Sequence, residues 1–598
     1  MSQPIWPRLL LPLMVWSCLL GGPGAVMAAD LAWCTARVEV DGRYQGEVAY
    51  LNQHGQTLVD AQALLGLVDG AAGYAMAGDA GLVIQYGDDI SFAGRNRQYG
   101  FIKSQKTDLL APLAESGGRI FVPTGFLGSA ISSDLSLVSG EQAVLSVQVN
   151  QAPHSTGYLV PQAAQLSQEL SAEFTVRSGD INLTSAIDVF ASGYTVDCNG
   201  NNAGFPYLVG QAPPSPRNDS YFNIPLVTQM DSDEAFVLIG YTPPEVEYYS
   251  YRSYLVDRFY EDTGARQKLY ASLGDTLNNY LLADALGTDD VYQRFMVLIS
   301  TGNEEVYNRV RDAAIACGIP AANIQQDIIP ADMVNFGLGD TADTFSYLHR
   351  ASLFKDPAAK DAYLNNPTLE FLRVTPKESL PLAPLSQEPL IDRETGVSEV
   401  AADPVLPAVQ QKLYQAILAK HGAGKTAQLL DTYQWLEEGN EAIADRTNVL
   451  GESRDTLYTR TDDFTLGADD VAIVFGVNHS QTAKSVYSNV SCYGADYFNG
   501  FGGITNESYL GTAREYLPDL DPAVADMFYV WKFARSQLDE HTFVVPENLN
   551  GDYYGINLGD QAFMGFRDYI NTLTDVGPAL DELQLEQVLL FKGPGSDS

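Results

Sequence analysis

Two distant stretches of this chain carry one pattern, and no other feature limits the fold as strongly. Asp233-Glu234-Ala235-Phe236-Val237-Leu238-Ile239-Gly240 and Asp469-Asp470-Val471-Ala472-Ile473-Val474-Phe475-Gly476 each start acidic, continue as an unbroken apolar run and stop at glycine. Short apolar runs of this kind read as strands buried on both faces. Tyrosine-rich segments follow both, Tyr248 to Tyr254 and Tyr487 to Tyr493, and each half closes on an apolar run, around Leu372 and around Leu589. The spacing between copies is wider at the opening landmarks, Asp233 and Asp469, than at the closing ones, Leu372 and Leu589, so the second copy is the shorter. The expected fold class is α+β: a small N-terminal α+β repeat module, then a larger, duplicated, mainly antiparallel α+β region. The halves are placed at 221–376 and 408–598, the second opening on an amphipathic helix near 405–420. Between them, residues 377–407 hold Pro381, Pro384, Pro389 and Pro404 among many acids, which predicts an exposed tether or strap. Clefts between such halves are favoured places for ligands.

The segment from Met1 to Ala29 bears on compartment. A short start with Arg8, an apolar run from Leu9 to Leu20, a Gly-Gly-Pro-Gly break and small residues at Ala28-Ala29 have the layout of a cleaved signal peptide. No later segment is long and apolar enough for a membrane span, so the expectation is a secreted or periplasmic chain without a transmembrane segment. Residues 31–150 contain an echo: Thr57-Leu58-Val59 leads to Leu64-Leu65-Gly66, and Ile120-Phe121-Val122-Pro123 leads to Phe126-Leu127-Gly128. In each, a short strand turns into a brief helix. Residues 151–220 are rich in turn chemistry, such as Asn199-Gly200-Asn201-Asn202 and Pro213-Pro214-Ser215-Pro216, and read as a transition segment.

Val40-Asp41-Gly42-Arg43, Gln56-Thr57-Leu58-Val59 and the run from Gly118 to Leu127 resemble the copper amine oxidase N-terminal-like domain. The resemblance covers about residues 31–150, and it implies a stalk at the front of an exported protein, with no copper site. Its first repeat departs from the family pattern, with Val59-Asp60-Ala61-Gln62 where Val-Pro-Leu-Arg is typical. The catalytic part of an amine oxidase also needs a cofactor tyrosine in Asn-Tyr-Asp/Glu and a His-x-His pair, and neither occurs. Amine oxidase activity is rejected and copper is not expected. The remainder resembles an uncharacterised secreted family, which transfers no activity.

Charge narrows the partners. With 35 Lys+Arg against 75 Asp+Glu, the net charge of −40 disfavours nucleic acid and anionic lipid. A small molecule, a glycan or a surface protein stays open as partner. Cys34, Cys198, Cys317 and Cys492 remain after signal removal, an even number that makes one or two disulfides the expectation in an oxidising compartment. No cofactor is read from the sequence, and no metal-ligand spacing such as an EF-hand is complete.

Candidate chemistry gathers at two places. Gly476-Val477-Asn478-His479-Ser480-Gln481-Thr482-Ala483-Lys484 lets a buried strand deliver polar groups within one turn, so Asn478, His479 and Lys484 are the candidate catalytic residues. His479 could act as a base with Ser480, Asn478-His479 could grip a polar ligand, or the turn could be an ordinary polar one. Gly451-Glu452-Ser453-Arg454-Asp455-Thr456-Leu457 and Gly274-Asp275-Thr276-Leu277 share a core, making Arg454, Asp455 and Asp275 candidate ligand-binding residues, with loop capping as the alternative. The phosphate-loop-like Ala419-Lys420-His421-Gly422-Ala423-Gly424-Lys425-Thr426 follows a helix rather than a strand and is read as a helix end capped by Gly422. The tyrosine-rich strands fit either a sugar-stacking surface or buried sheet positions. The functional expectation is a non-catalytic ligand-binding or structural role outside the cytoplasm. The alternative is an unrecognised, hydrolase-like secreted enzyme with its site around Asn478-His479.

Overall fold

The structure is a computed structural model that describes residues 33–593 apart from 54–55, 76–80, 87–88, 95–98, 103–104, 117–118, 139–141, 150–159, 219–225 and 550. The expected signal segment lies outside the described residues. The chain mixes helix and strand, with strands dominant. No helix among the described residues is long and apolar enough to cross a membrane.

In the N-terminal module, strand Gln56–Asp60 runs directly into helix Ala61–Leu65, and strand Arg119–Pro123 into helix Thr124–Ala130. These two units carry the echo seen in the sequence. Their strands lie side by side and antiparallel within a seven-stranded sheet, and their helices share one core through Leu64, Leu65, Phe126 and Leu127. Asp60 caps the first helix at Ala63 N (3.2 Å) and accepts from Arg119 Nη1 (2.8 Å), tying one unit to the other. A separate five-stranded meander spans 71–108.

Two ten-stranded sheets follow. Nine strands of each form a continuous path, and numbered in chain order within each sheet both paths read 5-4-8-2-1-9-3-6-7. In both, strands 6 and 7 are parallel (Phe295–Thr301 with Ile324–Ile328, Phe528–Ala534 with Thr542–Val544), while the other neighbours on the path are antiparallel. The paired landmarks of the sequence fall on corresponding strands: Ala235–Tyr241 with Val471–Val477, Val246–Tyr260 with Tyr487–Gly494, and Leu369–Pro376 with Gln587–Lys592. Residues 151–220 are more than a transition. They supply helix Pro161–Leu170 and the first two strands of the path, Phe174–Thr184 and Tyr207–Gln211, and the turn residues at 199–202 and 213–216 only connect these elements.

The unbroken apolar runs are explained by double-sided burial. Phe236 and Leu238 enter one core, while Ala235, Val237 and Ile239 enter another beneath helices Pro161–Leu170 and Glu304–Ala316. In the second sheet, Ala472 and Val474 face one core, and Ile473, Phe475 and Val477 face the other. That second core is covered by helix Leu406–His421, whose Leu406, Val409, Leu413 and Ile417 recur at helical spacing on its inner side. The helix stops at Gly422, whose N–H bonds Leu418 O (2.9 Å), so the phosphate-loop-like run is a helix end.

Residues 377–407 form a strap across both sheets rather than a free tether. Leu380 N donates to Asp233 Oδ2 (2.7 Å), Arg393 Nε to Glu438 Oε1 (2.6 Å) and Thr395 N to Glu582 Oε1 (2.7 Å). Among the described residues, Cys198, Cys317 and Cys492 are free thiols, so none of these three takes part in the expected disulfides. Cys492 is enclosed in the core that Ala472 and Val474 face, whereas Cys317 sits at the end of helix Glu304–Ala316, so the fold keeps these thiols on separate elements. Tyr248, Tyr249, Tyr251 and Tyr254 are buried and form no exposed stacking surface.

One fully buried ion pair anchors the first sheet. Arg373 donates to Glu234 Oε2 (2.7 Å), Pro213 O, Thr228 Oγ1 and Gln229 O, and Glu234 Oε1 accepts from Ser215 Oγ (2.7 Å) and Thr375 Oγ1 (2.5 Å). Breaking such a pair strands a charge in low dielectric. Glu234→Gln is therefore expected to cost about 3–5 kcal/mol, read as a lowered urea midpoint of the full chain.

Candidate functional site

Strand Val471–Val477 delivers the predicted turn. Asn478 N bonds Met527 O (2.8 Å), and Lys484 N and Ser485 N close back onto His479 O, so the imidazole is held inward. His479 and Asn478 are completely buried, and Lys484 nearly so. The three candidate catalytic residues share the turn but serve different partners. Ser480 Oγ donates to Asn478 Oδ1 (2.7 Å), so it forms no pair with His479. Lys484 Nζ donates to Glu582 Oε2 (2.5 Å) and Thr395 Oγ1 (2.8 Å), pinning the strap. Burial alone would raise the Glu582 carboxyl, but the Lys484 and Thr395 hydrogen bonds outweigh it and hold it at about 2.

His479 is surrounded by carboxylates that sequence reasoning missed. Nδ1 lies 2.7 Å from Glu399 Oε1, and Glu399 Oε2 also accepts Gln584 N (2.7 Å). On the other side, Nε2 is 3.5 Å from Glu586 Oε1. Asp568 completes the group, with one ligand atom from each of His479, Asp568 and Glu586 within 4.8 Å of the others. Burial would lower the His479 pKa, but Glu399, Asp568 and Glu586 raise it well above its ordinary value. Glu586 can come this close because residue 476 is glycine: a Cβ there would lie 2.6 Å from Glu586 Cγ. Glu399 lies on strap helix Glu399–Ala402, Asp568 on strand Gln561–Tyr569 and Glu586 just before strand Gln587–Lys592, so no local motif joins them to His479.

Arg454, Asp455 and Asp275 do meet, at the contact between the sheets. Arg454 Nε donates to Asp275 Oδ1 (2.5 Å), its Nη1 pairs with Glu438, and Asp275 Oδ2 accepts Ile391 N (2.8 Å) from the strap. Asp455 accepts Tyr248 OH (2.8 Å) and Asn278 Nδ2 (2.8 Å). Thr276 and Ser453 hydroxyls touch at 3.1 Å, so the two similar loops face one another. All three residues spend their polar atoms on protein partners.

Around them the halves exchange loops reciprocally. Arg350, on a strand of the first sheet, donates to Gly451 O (2.8 Å) and to Tyr254 OH. Arg567, on the matching strand of the second, donates to Gly200 O and Tyr493 OH. Asn201 bonds Gly500 N (2.9 Å) and O (2.7 Å), and Glu452 Oε1 accepts Ser272 N (2.9 Å) in the corresponding place. The bonded carbonyls belong to glycines with φ of +52° and +76°, and aromatic rings of the opposite half, Trp435 and Tyr270, approach them too closely for a Cβ to fit without displacement.

Between the exchanged loops lies a cavity of about 60 Å³, lined by Arg350, Arg567, Tyr207, Tyr270, Tyr458 and Tyr569 among others. Both arginines are 3% exposed. Among the described residues neither has a carboxylate partner within ion-pair distance; their hydrogen bonds go to one tyrosine hydroxyl and one carbonyl each. Arg567 also stacks on Trp435, Tyr458 and Tyr493 at 5.4–5.7 Å. The only sequence signal for these arginines was their spacing along the chain, which equals that of Leu372 and Leu589 and so marks them as counterparts.

No family model matches the chain, and no curated protein matches it. Among solved structures, it is similar to the VPA0106 protein from Vibrio parahaemolyticus, at 11% identity and a TM-score of 0.30, over 73% of this chain and 100% of that one. A second similar structure is an uncharacterised protein from Burkholderia cenocepacia, at 12% identity and a TM-score of 0.28, over 72% of this chain and 86% of that one.

Asp455 gives the site a pH signature. Burial pushes its carboxyl up from 3.8 to about 7, against the opposing Asn278 and Tyr248 hydrogen bonds. The folded chain therefore holds a proton there that the unfolded chain releases, so this contribution is complete below pH 3.8 and is lost as pH rises through about 7. The melting temperature of the wild type is expected to fall relative to Asp455→Asn as pH is raised across that window. Parallel melting curves of the two proteins from pH 4 to pH 8 would contradict this.

Proposed function

We propose that this is an exported binding protein, secreted or periplasmic, whose two halves arose by duplication and hold a compact anion between them. The observation that carries this reading is the pair of buried guanidiniums without carboxylates, Arg350 and Arg567, facing one cavity from opposite halves. A buried charge without an opposite charge is costly, so two of them beside one cavity favour a ligand that supplies the counter-charge. Guanidinium forks match the oxygens of phosphate, sulfate or a small carboxylate, and tyrosine hydroxyls can complete the shell. The volume admits a few non-hydrogen atoms rather than a glycan. The matching strand orders and reciprocal loops support duplication, since an anion at their junction would be met by equivalent groups from each copy.

The N-terminal module, with its paired strand–helix units, fits the stalk-like role implied by its resemblance. The hydrolase alternative has less support, because His479 is enclosed and bonded to Glu399 rather than to Ser480.

The test is a melting series of the full chain with phosphate, sulfate, malonate, succinate and citrate. One anion is expected to raise the melting temperature in a saturable way, since stabilisation follows ligand occupancy of the native state. Arg350→Met and Arg567→Met should each weaken that response at least tenfold. If no anion shifts the wild type, the arginines are interface pins and the binding proposal fails.

A further inference from the structure

The inter-half cavity leaves one buried feature without a role: the cluster around His479. We infer that His479, Asp568 and Glu586 form a closed metal site for a divalent transition ion of the zinc or manganese class.

Three side-chain atoms there have no hydrogen-bond partner although all are buried: His479 Nε2, Asp568 Oδ1 and Glu586 Oε2. Buried polar atoms are normally satisfied, and three orphans in one group of potential ligands mark a missing partner that accepts electron pairs. The donor set of one imidazole nitrogen and two carboxylates suits such an ion. The separation fits as well. His479 Nε2 and Glu586 Oε1 stand 3.5 Å apart, close to the edge of about 3.3–3.4 Å spanned by ligands at about 2.0–2.1 Å in a tetrahedron.

The surroundings orient the ligands as a metal site requires. Glu399 engages Nδ1 at 2.7 Å, which leaves Nε2 to bind the ion, an arrangement in which an outer carboxylate fixes the tautomer and raises imidazole basicity. Tyr529 OH lies 3.3 Å from Glu586 Oε1 and steadies that carboxylate. Three acidic side chains, Glu399, Asp568 and Glu586, crowd one imidazole in the interior, more carboxyl groups than the histidine can pair with, and a divalent ion would compensate the surplus.

The first sheet supplies an internal control. Gly476 lies against Glu586, and the strand partner of Gly240 is Leu369. Asp568 pairs with the residue after Tyr487, and Ala351 pairs with the residue after Tyr248. His479 follows Gly476 by three positions, as Pro243 follows Gly240. The same places thus hold Leu369, Ala351 and Pro243, so the fold does not require the polar triad.

The experiment counts metal in the full chain. Wild type, Asp568→Asn and the double variant D568A/E586L, which installs the residues of the first sheet, are expressed with supplemented zinc or manganese. After desalting, bound metal is measured by inductively coupled plasma mass spectrometry, with circular dichroism to confirm folding. The expected result is about one equivalent in the wild type, at least tenfold weaker retention in Asp568→Asn, and about none in D568A/E586L. Removing the ion with a chelator should lower the melting temperature of the wild type alone. Equal metal content in folded wild type and Asp568→Asn, or none in the wild type with either ion, would overturn the site. If the double variant does not fold, the isosteric Asp568→Asn decides.

Discussion

The reciprocal loop exchange is the interaction on which the rest of the larger region depends. Each half presents a left-handed glycine whose carbonyl is taken by the other half's arginine, Gly451 by Arg350 and Gly200 by Arg567. A main-chain carbonyl buried at an interface must be paired, and a guanidinium in low dielectric bonds it strongly. Because each half supplies both a donor and an acceptor, neither loop is satisfied unless the halves are docked. The strap adds a second tie through Arg393, Thr395 and Glu399, each bonded to the second half.

This architecture places charged groups where water would otherwise solvate them, and it handles them in two ways. Arg373–Glu234, Arg454–Asp275 and Lys484–Glu582 are closed by carboxylates and further hydrogen bonds, so they stabilise packing once formed. Arg350 and Arg567 are closed by neutral partners, and the His479 cluster carries an excess of carboxylates. Opposite charge is lacking at both places, and they lie in different parts of the structure. One borders a cavity shared by the halves, and the other is sealed inside the second half.

Much of the organisation was legible in the sequence. Double-sided burial forces unbroken apolar runs, so Ala235–Tyr241 and Val471–Val477 were readable as central strands and their partners as matching landmarks. The strand-to-helix echo in the first module was readable for the same reason, since Leu58-Val59 and Phe121-Val122 precede short apolar helices. Residues 161–211 were misjudged because their glycines and asparagines sit in connections, while strand Phe174–Thr184 alternates only weakly in burial. The cysteine count alone names no partners: pairing needs proximity, and Cys317 and Cys492 stay free because helix Glu304–Ala316 and strand Tyr487–Gly494 hold them on separate elements.

The sequence by itself determined the two similar halves, the proline-rich segment between them and the turn that carries His479, because these are written in local periodicity and turn chemistry. It also brought Arg454 and Asp275 into view through a shared local motif. Only the tertiary structure decided what those residues face. Glu399, Asp568 and Glu586 reach His479 from remote segments of the chain, and Arg350 meets Arg567 at one cavity although they belong to different halves. Local pattern records which face of a strand is buried, but not which strand of which sheet will lie against it. That choice is made by packing and by the pairing of buried polar groups, and it turned one predicted catalytic histidine into the centre of a closed carboxylate cluster.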